Sequence, residues 1–186
     1  MLDLLKKRRS VRRYKPTPLK PEEIEGLVTA ALLSPSSRGR QPWEFVMVTD
    51  SGILEKLSVS KPNSAAFLKG AALGVVIVAD PGISDVWVED TSIAATLVHL
   101  AAASMDLGSC WIQIRGREHS PGEKSGDYIK GLLGIPSQYE VEAIIAVGYP
   151  DEYKAPRSER ELLYEKAHRE KFGTPWKGQR AGESGA

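Results

Sequence analysis

Residues 90–112 read DTSIAATLVHLAAASMDLGSCWI. Wound as a helix over Asp90–Leu107, the stretch has almost no polar face. Ile93, Ala94, Ala95, Leu97, Val98, Leu100, Ala101, Ala102, Ala103 and Met105 occupy nearly every direction around the axis. Gly108 stands where a C-cap glycine would. A helix that is apolar nearly all round must be covered nearly all round. One sheet and a few helices from 186 residues cover only part of it. A second subunit is the expected cover, because most soluble oligomers are two-fold homodimers. The alternative is a central core helix in a monomer. Cys110–Ile114 reads as the strand that follows.

Upstream, Gly74–Ala79 is a β-branched run closed by Asp80-Pro81-Gly82, the pattern of a buried strand ending in a turn. Phe45–Val48 reads as a shorter strand. Pro21 suits a first helical position, and Glu22 and Glu23 sit where the helix dipole favours negative charge. Ile24, Leu27, Val28, Ala31 and Leu32 then give one buried face, and Ser34-Pro35-Ser36-Ser37 ends the helix. Short helices are expected over Leu2–Lys7, Ser51–Ser60 and Ala65–Gly70. Downstream, Glu142–Val147 reads as a strand and Arg157–Lys171 as a charged terminal helix. Gly116–Asp127, GREHSPGEKSGD, has no apolar residue and reads as a long loop, either a lid or unstructured. Gly178–Ala186 has no apolar anchor and is expected to be flexible.

Composition bounds the function. Hydrophobic residues make up 41% and charged residues 26%, the balance of a soluble globular protein. One domain is expected over residues 1–172, with a tail at 173–186. A net charge of +1 gives no global electrostatic case for nucleic acid or a membrane surface. The one cysteine, Cys110, excludes an internal disulfide and any multi-cysteine metal site. It reads as a small core residue, and Trp43 and Trp111 read as core residues as well, with a place bordering a ligand pocket as the alternative for either. No apolar h-region follows the N-terminal basic residues, and no apolar stretch reaches the ~20 residues of a membrane span. A cytoplasmic location is expected. There is no Rossmann or P-loop glycine pattern, no zinc-protease motif and no nucleophile elbow. His99, His119 and His168 are far apart, and no metal site is expected.

Two segments carry chemistry. Residues 6–15 read KKRRSVRRYK, with seven basic side chains in ten. Arginine forks pair with phosphate in a bidentate way, and Ser10 adds a hydroxyl donor. An anion or phosphate site is one reading; a solvated basic arm, or an arm for nucleic acid, is the other. Residues 34–45, SPSSRGRQPWEF, place hydroxyls, a glycine, two arginines and an amide before a strand. That suits hydrogen bonding to a polar ligand edge, or a plain helix-to-strand connection.

Together these segments resemble the nitroreductase family of flavin oxidoreductases. Arg8-Arg9-Ser10-Val11-Arg12 is followed about 25 residues later by Pro35-Ser36-Ser37 and then Gln41-Pro42-Trp43. The helix into Gly108-Ser109-Cys110-Trp111-Ile112 is similar to that family's central helix and next strand. Gly134-Ile135-Pro136 and Ala146-Val147-Gly148-Tyr149-Pro150 resemble its late strand and turn. The resemblance covers roughly residues 2–172. It implies an α+β fold with a central mixed β-sheet flanked by helices in an intertwined homodimer. It also implies FMN at the subunit interface and ping-pong transfer from NADH or NADPH to a nitroaromatic, quinone or flavin acceptor. A family member that binds FMN without reductase turnover is the alternative. The matching positions assign Arg8, Arg9, Ser10 and Arg12 to flavin binding. Pro35, Ser36 and Ser37 are assigned to a loop reaching the partner's FMN, and Ile114, Arg115 and Gly116 to backbone donors near the ring. Arg157 is the candidate late phosphate ligand, with Arg160 next. Gly39 stands where many members carry asparagine in this loop, so one flavin hydrogen bond is missing there.

Overall fold

The structure, a computed structural model, describes residues 1–176; the stretch expected to be flexible, 178–186, lies outside them. The chain separates into two compact units, Met1–Ala155 and Pro156–Ala186. In the first, helix α1 (Leu2–Lys7) and helix α2 (Pro21–Leu32) precede strand β1 (Trp43–Val48) and helix α3 (Ser51–Ser58). Strand β2 (Leu73–Ala79), helix α4 (Trp87–Ser104) and strand β3 (Gly108–Gln113) follow. Strands β4 (Glu118–Ser120) and β5 (Glu123–Lys124), helix α5 (Ser125–Leu133) and strand β6 (Glu140–Gly148) complete it.

Four strands form the central sheet in the order β1-β2-β6-β3. Its ladders are antiparallel; a parallel pairing occurs in the single bridge between Ser10 and Ser109. This is the expected α+β architecture, a sheet flanked by helices. Side chains alternate along a strand, so β2 and β6 face two cores. Val75, Ile77, Ile145 and Val147 pack with Leu27 and Ala31 of α2 and Ala95, Val98 and Ala102 of α4. Val76, Val78, Ile144 and Ala146 pack with Leu54 and Leu57 of α3, Leu68, and Ile129 of α5. Both faces are covered, and every residue of β2 is buried. That is why its sequence runs apolar without alternation. Each such side chain contributes about 1.5–3 kcal/mol on burial, so β2 and β6 anchor the strand to which the site is attached.

Three expectations need correction. Gly108 does not cap α4. The helix ends at Ser104 with Met105 as its cap, and Asp106 takes the left-handed turn at φ 57. Gly108 opens β3, opposite Gly148 of β6. A Cβ on Gly108 would lie 2.7 Å from Val11 Cγ1, and one on Gly148 would lie 3.0 Å from Tyr14 Cδ1. The glycines let residues 11–14 lie directly on the sheet. Gly116–Asp127 is no structureless loop. It forms the β4–β5 hairpin and the start of α5, a helix hidden in the sequence by its weak formers Gly126 and Gly131. Arg157–Lys171 is no helix either. In the second unit, single turns at Glu159–Glu161 and Tyr164–Lys166 stand apart, and His168 bridges to Pro175. The segment has charge but no apolar stripe to bury, and tertiary packing supplies most helical stability.

Within the single chain α4 is covered on one side only. Ala94, Ala95, Val98 and Ala102 are buried, whereas Ile93 is 42% exposed, and Leu32 of α2 is 53% exposed.

Candidate functional site

The basic segment is held to the sheet by its own backbone. Arg8 leaves α1 in an extended conformation. Val11 N–H donates to Ser109 O at 3.0 Å, and Lys15 N–H to Tyr149 O at 2.9 Å. Glu152 Oε1 accepts the N–H groups of Arg12 (2.5 Å) and Arg13 (3.2 Å). These bonds, Arg12 N–H first, and the nearby Lys154 ammonium hold the Glu152 carboxyl below the usual carboxylate range. Lys154 Nζ donates to Ser10 O at 2.7 Å.

This clamp sorts the arginines into two pairs. Arg9 donates to Ala155 O, and Arg13 donates to Asp151 O at 2.8 Å. Among the described residues the guanidinium groups of Arg8 and Arg12 meet no acceptor; Arg12 lies 5.8 Å over the Phe67 ring. Four positions apart, these two forks are the arginines of the segment without a hydrogen-bond acceptor among the described residues.

Neutral groups lie beneath them. His99 Nδ1 is 2.7 Å from Ser109 Oγ, and both residues are buried. Burial, followed by the Arg8 charge, lowers the His99 pKa to about 4. Cys110 is 1% exposed, as expected of a core residue. Burial raises its pKa, opposed by Arg12, Lys154 and the Ser10 hydroxyl.

At the end of β3 the chain turns through Ile114–Arg117, closed by Arg117 N–H to Ile114 O at 3.0 Å. Gly116, at φ 70, occupies the third position, where a type II turn requires glycine. The N–H groups of Ile114 and Arg115 both donate to Glu142 O, at 3.2 and 3.0 Å. Among the described residues the Gly116 N–H has no acceptor, so it is the one donor of the three left open. Glu142 sits where the β2–β6 register shifts. Bulges of this kind re-aim side chains beside functional sites. The Glu142 carboxylate is buried and accepts from Arg115 Nε at 2.7 Å. Trp111, Gln113, Arg115, Gly116 and Arg117 line an open recess of about 550 Å³ here.

The loop at 35–39 lies elsewhere on α4. Ser37 N–H donates to Asp90 Oδ1 at 2.8 Å, and Ser84 Oγ donates to Asp90 Oδ2 at 3.0 Å. Ser36 Oγ accepts from Gln41 N–H at 2.9 Å, and Gly39 N–H donates to Ser36 O. Asp90 is in the first turn of α4, whereas Lys7 pairs with Asp106 just past its other end. Roughly 20 Å of helix rise separates these anchors at ~1.5 Å per residue. One chain therefore does not bring Pro35, Ser36, Ser37 and Gly39 to Arg8 and Arg12. Arg157, in the second unit, pairs with Glu161 at 3.4 Å.

Comparison with known proteins gives this geometry a family. The nitroreductase family model matches residues 5–60 and 53–149. The chain belongs to the nitroreductase family. An FMN-dependent nitroreductase from Clostridium difficile R20291 is 44% identical to this nitroreductase, with a TM-score of 0.91. The match covers 92% of this chain and 100% of that one. A relative from Archaeoglobus fulgidus, whose name places it among NADH dehydrogenase/NAD(P)H nitroreductases, is 34% identical over 92% of this chain and 98% of its own. The Vibrio harveyi NADPH:FMN oxidoreductase solved with NAD+ shares the fold at a TM-score of 0.77 and 24% identity. That match covers 92% of this chain and 77% of the other.

Sequence reading missed several residues that shape this nitroreductase's site. Glu152 and Lys154 act across some 140 residues of chain, and no local pattern links them to Arg12 or Ser10. Glu142 did leave a signal, a lone carboxylate inside the apolar run Val141–Val147. Among the described residues no group of three or more His, Cys, Asp or Glu is placed to hold a metal ion. Likewise, no described helix is long and apolar enough to cross a membrane.

Proposed function

We propose that this nitroreductase binds FMN between two copies of the chain and passes reducing equivalents from NADH or NADPH to small-molecule acceptors. Nitroaromatics, quinones and flavins are the acceptor classes, and nucleotide and acceptor use one opening in turn. The donor set fits the cofactor. FMN carries a phosphate and a ring whose pyrimidine edge becomes negative on reduction, and the chain offers cationic forks, a hydroxyl and an open backbone donor. The observation that carries the reading is the sorting of arginines: Arg9 and Arg13 are bonded to carbonyls, while the Arg8 and Arg12 forks meet no acceptor among the described residues.

When bound, FMN supplies the hydride and electron chemistry. Arg8 and Ser10 hold the phosphate end. Arg12 holds the pyrimidine edge. Gly116 N–H supplies the backbone donor, in place of the three donors expected from Ile114, Arg115 and Gly116. Arg9 acts by pinning the segment. His99 and Cys110 remain neutral, so neither adds charge beneath Arg8 and Arg12. The loop Pro35–Gly39 serves the partner's site, because within one chain it sits at the far end of α4. The exposed Ile93 and Leu32 supply an apolar face for the second copy. A reducing, cytoplasmic setting suits the buried, unpaired Cys110.

The purified protein should show flavin absorbance, release one FMN per chain on denaturation, and bleach anaerobically with NADH or NADPH. A colourless protein that takes up no added FMN would refute the reading. Flavin that neither nucleotide reduces would leave a binding protein without turnover.

A further inference from the structure

The recess at the end of β3 holds positive charge that the flavin-binding residues do not use. Arg115 is fixed through Nε alone, by the buried Glu142 carboxylate. A guanidinium held this way keeps the donors of both terminal nitrogens, and among the described residues neither meets an acceptor. The Arg117 side chain has no acceptor among the described residues either. Lys61 is close enough to feel it: burial first, then the Arg117 charge, lowers the Lys61 pKa. Two guanidinium groups therefore line the recess, one of them aimed by the buried carboxylate.

The side-chain donors of Trp111 and Gln113 in the wall are already satisfied. Trp111 Nε1 donates to Gln113 Oε1 at 2.9 Å, and Gln113 Nε2 donates to Arg115 O at 3.1 Å. The indole is thereby fixed as a planar apolar surface beside the two forks. Ligand sites combine such apolar walls with a few convergent polar groups, and arginine forks match planar oxyanions in a bidentate way.

We propose that this recess is a substrate subsite that holds a carboxylate or phosphate between the forks of Arg115 and Arg117, with the ligand's planar ring against Trp111. Its use in turnover rests on the reductase reading above. Two substrates present this chemistry: a carboxylated aromatic acceptor, and the phosphates of the nicotinamide nucleotide. Glu142 is a positioning residue here, since it aims Arg115 without reaching the ligand.

The test is isothermal calorimetry on the FMN-loaded protein with para-nitrobenzoate, its neutral amide, NAD+ and NADP+. The wild type should bind the carboxylate, the extra phosphate of NADP+, or both, about tenfold more tightly than the matched ligand lacking that charge. Arg117→Gln should collapse the preference towards one, and Arg117→Lys should restore part of it. A preference confined to para-nitrobenzoate identifies the acceptor as the source; one confined to NADP+ identifies the nucleotide. Equal affinities in the wild type, or a preference that survives in Arg117→Gln, would overturn the proposal. FMN content is measured on every sample. Missing FMN counts against the reductase reading, while the charged-to-neutral ratio still decides the subsite.

Discussion

Replacing His99 by glutamine should make the protein more resistant to acid. In the fold, the histidine pKa falls from 6.5 to about 4 through burial and the Arg8 charge. The folded value lies below the unfolded one, so the unfolded chain binds the proton more tightly. Stability from the neutral ring is therefore complete above about pH 6.5 and is lost as pH falls towards 4, with no further change below. At ~1.4 kcal/mol for each tenfold change in proton affinity, the loss is about 3 kcal/mol. Glutamine can keep a hydrogen bond to Ser109 but cannot charge. The carboxylates titrating in the same window are common to both proteins and cancel in the difference. Urea unfolding of wild type and His99→Gln, with FMN at one saturating concentration, gives that difference at each pH. The variant should gain on the wild type by about 3 kcal/mol between pH 7 and pH 4. Parallel curves would show that His99 titrates alike in both states and that neither burial nor Arg8 acts on it. Adding Arg8→Gln should shrink the effect while leaving most of it, because burial is the larger cause.

Three further outcomes follow from the clamp on the basic segment. Gly108→Ala puts a methyl 2.7 Å from Val11 Cγ1 and should cost about 1–3 kcal/mol; FMN affinity by fluorescence titration should fall with it, and unchanged affinity would count against the packing. Glu152→Gln should weaken FMN binding about tenfold near neutral pH by loosening the Arg12 and Arg13 backbone. Because the folded Glu152 pKa is lowered, its contribution is present above the unfolded value and lost as pH falls through the folded one, so the variant should lack that acid limb. Arg8→Gln should weaken oxidised and reduced FMN alike, whereas Arg12→Gln should weaken the reduced form by a further ~1–3 kcal/mol and drive the potential more negative; equal potential shifts in spectroelectrochemical titration would show the two roles wrongly assigned.

The sequence alone determined what depends on short-range pattern. The apolar runs at 74–79 and 142–147 mark strands because covered strands must be apolar on both faces. The 3.6-residue repeat at Ile24, Leu27 and Ala31 marks α2. The basic run at 6–15 marks a concentration of positive charge because charge density is a local property. Tertiary structure decided what depends on distant partners. Which arginines are free was settled by Asp151 and Ala155, some 140 residues away. The purpose of Gly108 was settled by Val11, which rests on it. The separation of loop 35–39 from the basic segment was settled by the length of α4 between Asp90 and Asp106. A guanidinium looks the same in sequence whether its fork is bonded or open, because hydrogen-bond satisfaction depends on where the backbone carbonyls end up in space.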